Sequence, residues 1–278
     1  MHANSTTATL ALVRDTFREA FARKIFWAFF ACSTALILFF VFIMRVDVVE
    51  GALATASIFG RTGPSQSVER MVAGVHAGIA NFIYSIGMCL AVFASAGLIS
   101  AVFEPGRIEL LLSKPVTRYH ILLGRYTGNV LVVACNLFYL IFAIWIIFGI
   151  KTEVWHLGFL FAGLTTLFVF CVLLTVSLLV GVLWESAAVS IIATFGVMVL
   201  SLIVSAKPTW EKLLSSEWSR DIVRGLYYVL PRIFDIGKIN NNLITNQPIT
   251  DWAAMWTTAG FGAVLLAASL FFFARRDF

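Results

Sequence analysis

The residues best able to do chemistry in this chain are few and scattered. His2, His76, His120 and His156 lie far apart in sequence. Cys32, Cys89, Cys135 and Cys171 each sit alone inside a long apolar run. Buried small hydrophobes are the expected reading for these cysteines, rather than a disulfide framework or a zinc site. Met88-Cys89 offers two soft donors, too few to argue for copper. There is no GxxxxGK[ST] phosphate loop, so the chain has no such route to ATP. Ser/His/Asp constellations and clustered carboxylates, which a lipid-processing membrane enzyme would need, are not apparent either. What stands out is a stretch suited to recognition, EPGRIELLLSKPVTRYH at 104–120, which puts prolines and alternating charges between two apolar runs.

Those runs decide the fold class. Of the 278 residues, 60% are hydrophobic and only 13% are charged. A soluble domain of this size could not hide that much apolar surface, so an all-α polytopic integral membrane protein is expected. The runs are continuous, whereas barrel strands would alternate. The net charge of +5 suits basic loops facing an anionic leaflet better than nucleic-acid binding, and no nucleic-acid partner is expected. The first apolar run comes after a basic helical segment and lacks a small-residue cleavage pattern, so no cleavable signal peptide is expected.

Crossing about 30 Å of hydrocarbon takes about 20 residues. Six windows qualify, at 25–44, 78–103, 126–150, 157–183, 186–206 and 252–274. The second apolar run begins at Met71, and its first part, around His76, is expected at the interface or outside the bilayer. Six spans put both termini on one side. Lys and Arg divide ten to ten between the two sets of loops, but the set that includes the termini is shorter. Its basic residues also crowd the membrane ends, at Arg23-Lys24, Arg118, Arg125 and Arg275-Arg276. Both termini and residues 104–125 are therefore expected in the cytoplasm.

Residues 8–24 form an amphipathic pattern with Leu10, Val13, Phe17, Ala20 and Phe21 at helical spacing, and Arg14, Asp15, Arg18 and Glu19 on other faces. A helix lying in the membrane interface is expected there, with a solvated cytosolic helix as the bland alternative. The first outer loop carries a turn-rich tip, GRTGPSQS. The last, at 207–251, is too long to lack structure and should hold short helices. Ile222, Leu226, Val229 or Leu230, and Ile233 share a face, Pro231 kinks or breaks the helix, and Asn240–Asn242 should end any helix beyond it.

Within the stretch at 104–120, Pro105 suits a first helical position and Lys114 is biased away from helical geometry by Pro115. A helix at 105–113 is boxed in, roughly 13 Å long at about 1.5 Å per residue. Ile108, Leu111 and Leu112 share one face, and Arg107, Leu110 and Lys114 the other. Laid flat on a membrane, the helix would point Leu110 into the cytosol between two cations. That makes it either a docking knob or an ordinary exposed leucine. Thr117 can cap the next helix.

The stretch EPGRIELLLSKPVTRYHILLGR resembles the signature of ABC-2 type exporter permeases. Glu104, Gly106, Glu109, Leu110, Leu111, Leu112, Ser113, Pro115, Arg118, Leu123 and Gly124 match, with Arg125 for the usual Lys. Pro105 before the glycine and Arg107 after it depart from the pattern. YYVLPRIFDI and the terminal RRDF are also similar to family segments. Six-span stand-alone members include the permease of the nitrous-oxide-reductase maturation system, which the chain also resembles.

The resemblance implies a concrete machine. The 105–113 segment would be a coupling helix seated in a groove of a separately encoded soluble ABC ATPase. Glu104, Gly106, Arg107, Glu109, Leu110, Lys114, Pro115 and Arg118 would form that interface. The chain itself would carry no cofactor, since ATP and Mg would be bound by the ATPase. Two copies would pair as a homodimer in a bacterial or archaeal cytoplasmic (inner) membrane, among membrane lipids, with an extracytoplasmic accessory protein as a further partner. The function implied is the non-enzymatic permease subunit of an ATP-driven exporter. The alternative is a non-transport anchor or regulatory module, which would not need a stiff helix bounded by prolines.

Asn81, Asn136, Thr165 and Thr166 are polar groups at depth, and no span interior holds a charged residue. Ion-coupled transport usually needs such a group. These four either pack helices together or line the path of a polar substrate. Asn136, near the middle of its span, should face another helix rather than lipid. Cargo stays open among lipid, peptide, drug, polysaccharide, and metal or sulfur species.

Overall fold

The computed structural model describes residues 5–22, 24–49, 53–58, 61–62, 66–100, 117–207, 210, 213, 217–249 and 251–276. Helix α1 (Ser5–Ala22) turns sharply into α2 (Lys24–Leu38), which ends in a π-turn at Phe39–Ile43. The bend between Leu12–Ala22 and Phe26–Phe42 is 71°. Aromatic packing holds it: the Phe21 and Phe26 rings lie 4.5 Å apart, and the Trp27 indole donates to the Phe21 carbonyl at 2.9 Å.

The helical reading holds for the bulk of the chain, with one addition. The segment read as a turn-rich loop contains a small antiparallel sheet. Strand β1 (Met44–Val49) pairs with β2 (Leu53–Ile58), which also pairs with β3 (Arg61–Thr62) and β4 (Gln66–Ser67). Met44-Arg45-Val46 and Thr55-Ala56-Ser57 carry branched or alternating residues that suit pleated pairing, although turn signals dominate the tip.

Helix α3 (Val68–Phe82) runs through a π-segment, Ile83–Gly87, into α4 (Met88–Ser100). After the undescribed stretch come α5 (Arg118–Thr152), α6 (Leu157–Trp184) and α7 (Ala187–Ser205). Helices α8 (Glu217–Val229) and α9 (Ile233–Ile244) precede the last, α10 (Ala253–Arg275). Among the described residues, five stretches are long and apolar enough to cross a membrane: Val68–Gly97, Arg118–Thr152, Leu157–Trp184, Ala187–Ser205 and Ala253–Arg275. The bent pair α1–α2 makes a sixth if counted as one span.

Helix α6 is the axis of the bundle. Its most apolar window is 67% buried, against 22–28% for the others. A helix hydrophobic all round belongs at such a centre. The surrounding helices turn large apolar side chains outward instead, including Ile150, Ile192 and Val264. Such a surface suits hydrocarbon as solvent and would be untenable in water.

The helix of the second span is continuous from Val68, and His76 within it is fully buried, stacked on Phe159 at 4.3 Å between ring centroids. The structure corrects two expectations. The cysteines are not core residues: Cys32 and Cys135 are exposed on the outside of the bundle, Cys89 and Cys171 are half-buried, and all four are free. Finally, Asn240–Asn242 do not stop α9, which runs on to Ile244. The reversal comes at Asn246, whose φ of 54° is left-handed.

The chain alternates between two ends of the bundle, and short polar clamps close each. At the end away from the termini, Lys151 Nζ donates to the Phe40 and Val41 carbonyls at 2.8 and 2.9 Å. These are the orphan acceptors where the first rising helix stops. Gly158 there has no room for a side chain, since a Cβ would sit 2.0 Å from the Leu243 carbonyl oxygen. The missing side chain lets α9 lie directly against the start of α6.

Candidate functional site

Glu104, Gly106, Arg107, Glu109, Leu110, Lys114 and Pro115, with the whole 105–113 helix, lie outside the described residues. The frame into which this segment feeds is described, at the end of the bundle that carries both termini. Thr117 occupies the N-cap position of α5 with extended backbone. Its carbonyl accepts from the His120 and Ile121 amides at 3.0 and 3.3 Å. Its hydroxyl pairs with the His120 ring rather than capping a backbone amide.

The next residue ties the segment to distant helices. Arg118 donates to the carbonyls of Ala274, at 3.4 Å, and Arg276, at the C-terminal end of α10. A cation on the last carbonyls of a helix meets both their hydrogen-bonding need and the negative end of the dipole. Arg276 reaches in turn to the Val182 carbonyl at the end of α6 and pairs with Glu185 at 2.7 Å. Glu185 ends α6 in left-handed backbone, φ 53°, where its amide bonds Gly181 at 2.9 Å. The residue leaving the loop is thus linked by charge to α10 and to the central helix.

A second tie joins α5 to α1. Arg125, in the motif position usually held by Lys, is 1% exposed and donates to Asp15 at 2.8 Å and Glu19 at 2.6 Å. The helices meet closely because α5 presents Gly124 and Gly128 to α1. A Cβ at Gly124 would stand 2.7 Å from Leu12 Cβ, and one at Gly128 only 2.6 Å from Thr16 Cβ. The buried face of α1 is therefore Leu12, Thr16 and Ala20. Of the apolar set at helical spacing, Ala20 lies in this packed face, whereas Val13 and Phe17 are half-buried and Phe21 is 48% exposed outside the bundle. The Thr16 hydroxyl bonds its own helix, at the Leu12 carbonyl, so it is buried without an unmet donor.

The second motif-like stretch, YYVLPRIFDI, builds a knot at the opposite end. Pro231 separates α8 from α9, as its ring requires. The amides freed at the start of α9 are met by other helices. Arg232 N–H donates to Thr258 Oγ1 and Ile233 N–H to Ser201 Oγ, each at 3.0 Å. Arg232, 6% exposed, bonds Asp235 at 3.1 Å and Asp251 at 2.7 Å, and stacks 4.1 Å over the Tyr227 ring. The Tyr227 hydroxyl donates to Asp235 at 2.9 Å, and Lys238 adds a bond at 2.8 Å.

Burial alone would raise the Asp235 carboxyl, but bonds from Lys238, Tyr227 and Arg232 outweigh it and hold the pKa low. Burial, then the bond to Asp235, pushes the Tyr227 phenol up to about 12. A lowered carboxyl contributes stability that is complete above its ordinary value of 3.8 and lost as pH falls through the depressed one. Asp235→Asn is expected to destabilise the detergent-solubilised protein by about 1.5–3 kcal/mol at pH 7, because the buried Arg232 guanidinium keeps only Asp251 and the bonds from Tyr227 and Lys238 lose their charged acceptor. The difference from wild type should be undiminished at pH 5 and shrink only in stronger acid. Thermal melts at both pH values check it.

The four polar span residues do not converge. Asn81 sits on an exposed position. Asn136 faces another helix as expected, accepting from Ser33 Oγ of α2 at 2.9 Å. Thr165 and Thr166 are buried against Asn240, whose amide nitrogen donates to Thr166 at 3.2 Å. Asn129 and Asn240, both buried, were missed. A helical count could have found the first, since Arg125, Asn129 and Asn136 come at steps of four and seven on one face of α5. Among the described residues no group of three metal-ligating side chains forms.

The model of the ABC-2 family transporter protein matches residues 10–278. No match to a curated protein was found. The matched region takes in every clamp described above, from the α1 contact on Arg125 to the Arg276 tie on α6. With several helices long and apolar enough to cross a bilayer, the chain belongs to the ABC-2 transporter family and is an integral-membrane component of an ABC transporter.

Proposed function

We propose that this chain is the membrane-spanning permease subunit of an ATP-driven exporter, coupled to a soluble ABC ATPase through a helix at 105–113. Members of the family normally work with such an ATPase. The chain crosses the membrane six times with both termini in the cytoplasm and functions as a pair of copies. ATP and Mg stay with the partner. The observation that carries the reading is the double tie of Arg118 and Arg276, which joins the exit of the 104–117 segment to α10 and α6. A push on that segment is delivered to the end of the central helix, so ATPase closure tilts spans as rigid bodies. The finer likeness to the nitrous-oxide-reductase maturation permease is a proposal about cargo.

Affinity purification from native membranes in mild detergent, with mass spectrometry of the eluate, tests the partnership. A P-loop protein near one-to-one with this chain is expected. Recovery without one would favour the anchor or regulatory module. Sidedness has its own test. Single cysteines at Ser113 and at the exposed turn residue Asn246, in a background without the native four, are treated with an impermeant maleimide on intact cells. Labelling of Asn246→Cys alone is expected, and labelling of Ser113→Cys alone would invert the topology.

A further inference from the structure

Between α2, α4 and α5, floored by Ala20 of α1, lies a cavity of about 150 Å³. Its walls are largely apolar, with Phe29, Leu36, Leu90 and Leu137 among them. Four polar side chains face it: Ser33, Ser95, Asn129 and Asn136. Ser33 and one atom of Asn136 satisfy each other. The others do not: among the described residues, Ser95 Oγ, both amide atoms of Asn129, and Asn136 Nδ2 have no hydrogen-bond partner. Asn129 is 0% exposed and Ser95 1%. Buried polar atoms are nearly always paired, and several such atoms around one cavity point to a partner that enters it. An apolar cavity of this size would stay dry, but this one offers both donors and acceptors.

We infer that this cavity binds the head of an uncharged, hydroxyl-bearing lipid on Asn129 and Ser95, with the chain leaving through the open side, since about 150 Å³ holds a head group and not an acyl chain. Three observations select that chemistry. No lining residue is charged, so an ionic head would be desolvated without compensation. The unpartnered atoms include both donors and acceptors, which a hydroxyl can match as either. The mouth opens beside Cys32, Phe82 and Leu90, which are exposed on the outside of the bundle, where the bilayer supplies amphiphiles. The site stands whether or not the chain couples to an ATPase.

Full-length protein in phosphatidylcholine nanodiscs is photolabelled with a monoacylglycerol bearing a mid-chain diazirine. Saturable labelling of α4 and α5, competed by unlabelled monoolein, is expected. Asn129→Leu should raise the half-saturating concentration about tenfold, the loss of one well-placed hydrogen bond in a dry site. Ser95→Ala should shift it the same way by less, and Ala94→Phe, which narrows the cavity, should abolish labelling. Asn129→Leu removes an unmet polar group and so should still fold, and Ser95→Ala decides if it does not. Equal labelling by a headless diazirine alkane, preferential labelling by the matching fatty-acid anion, or unchanged binding in the polar variants would each overturn the assignment.

Discussion

Arg125→Leu is expected to release α1 from the bundle. Arg125 is buried, and its two partners differ: Glu19 is 14% exposed and Asp15 54%. Removing one partner of a buried ionic pair costs about 3–5 kcal/mol, mostly because the remaining charge is left without compensation. Here the buried carboxylate that loses its Arg125 partner is chiefly Glu19. Asp15 is open to solvent and should contribute little, since exposed pairs are worth about 0–1 kcal/mol. Arg14 and Arg18 lie on exposed faces of α1 and are tryptic sites. They are cut only when the helix opens, so the cutting rate tracks the opening equilibrium. Cleavage of detergent-solubilised protein should rise about a hundredfold or more in Arg125→Leu. Glu19→Gln should approach that value, and Asp15→Asn should stay near wild type. Gly128→Val should imitate Arg125→Leu by steric clash with Thr16. Unchanged cleavage in both Arg125→Leu and Gly128→Val would mean that α1 is held by something else.

Long apolar windows, the break at Pro231 and the inward turn of Asn136 could be read from the chain, because each arises from a local property. Length against bilayer thickness, a missing amide hydrogen and an unmet amide in hydrocarbon all act without knowledge of neighbours. Other features depended on the partner surface. The docked face of α1 contains Thr16 and Glu19, a poor apolar stripe, and it is selected because α5 presents two glycines and an arginine. Asn240 reads as a helix breaker since asparagine competes for its own backbone. Buried Ile236, Ile239 and Ile244 and the pairing with Thr165 and Thr166 override that preference. The burial of His76 also depended on its neighbours, since Phe148 and Phe159 accept the imidazole as a flat ring. The cysteines went the other way: apolar residues of a membrane protein face outward as readily as inward, so burial cannot be inferred from hydropathy.

The second large effect is expected at the proposed 105–113 helix. On such a helix Leu110 and Leu111 would project about 100° apart, so substitution should separate their roles. If Leu110 docks into the ATPase, its burial contributes roughly 1.5–3 kcal/mol. Leu110→Asp should therefore weaken ATPase binding at least about tenfold, while the permease still inserts and dimerises. On the proposed helix the new carboxylate would be partly offset by Arg107 and Lys114. If Leu111 rests on the membrane, Leu111→Asp should lift the helix and reduce the yield of folded permease. The decisive measurement is a pull-down of the partner ATPase by each variant, normalised to folded permease recovered from detergent. Selective loss of ATPase with Leu110→Asp, and loss of yield with Leu111→Asp, is the expected result. Normal ATPase binding by both variants, or selective loss with Leu111→Asp, would contradict the docking of this helix through Leu110.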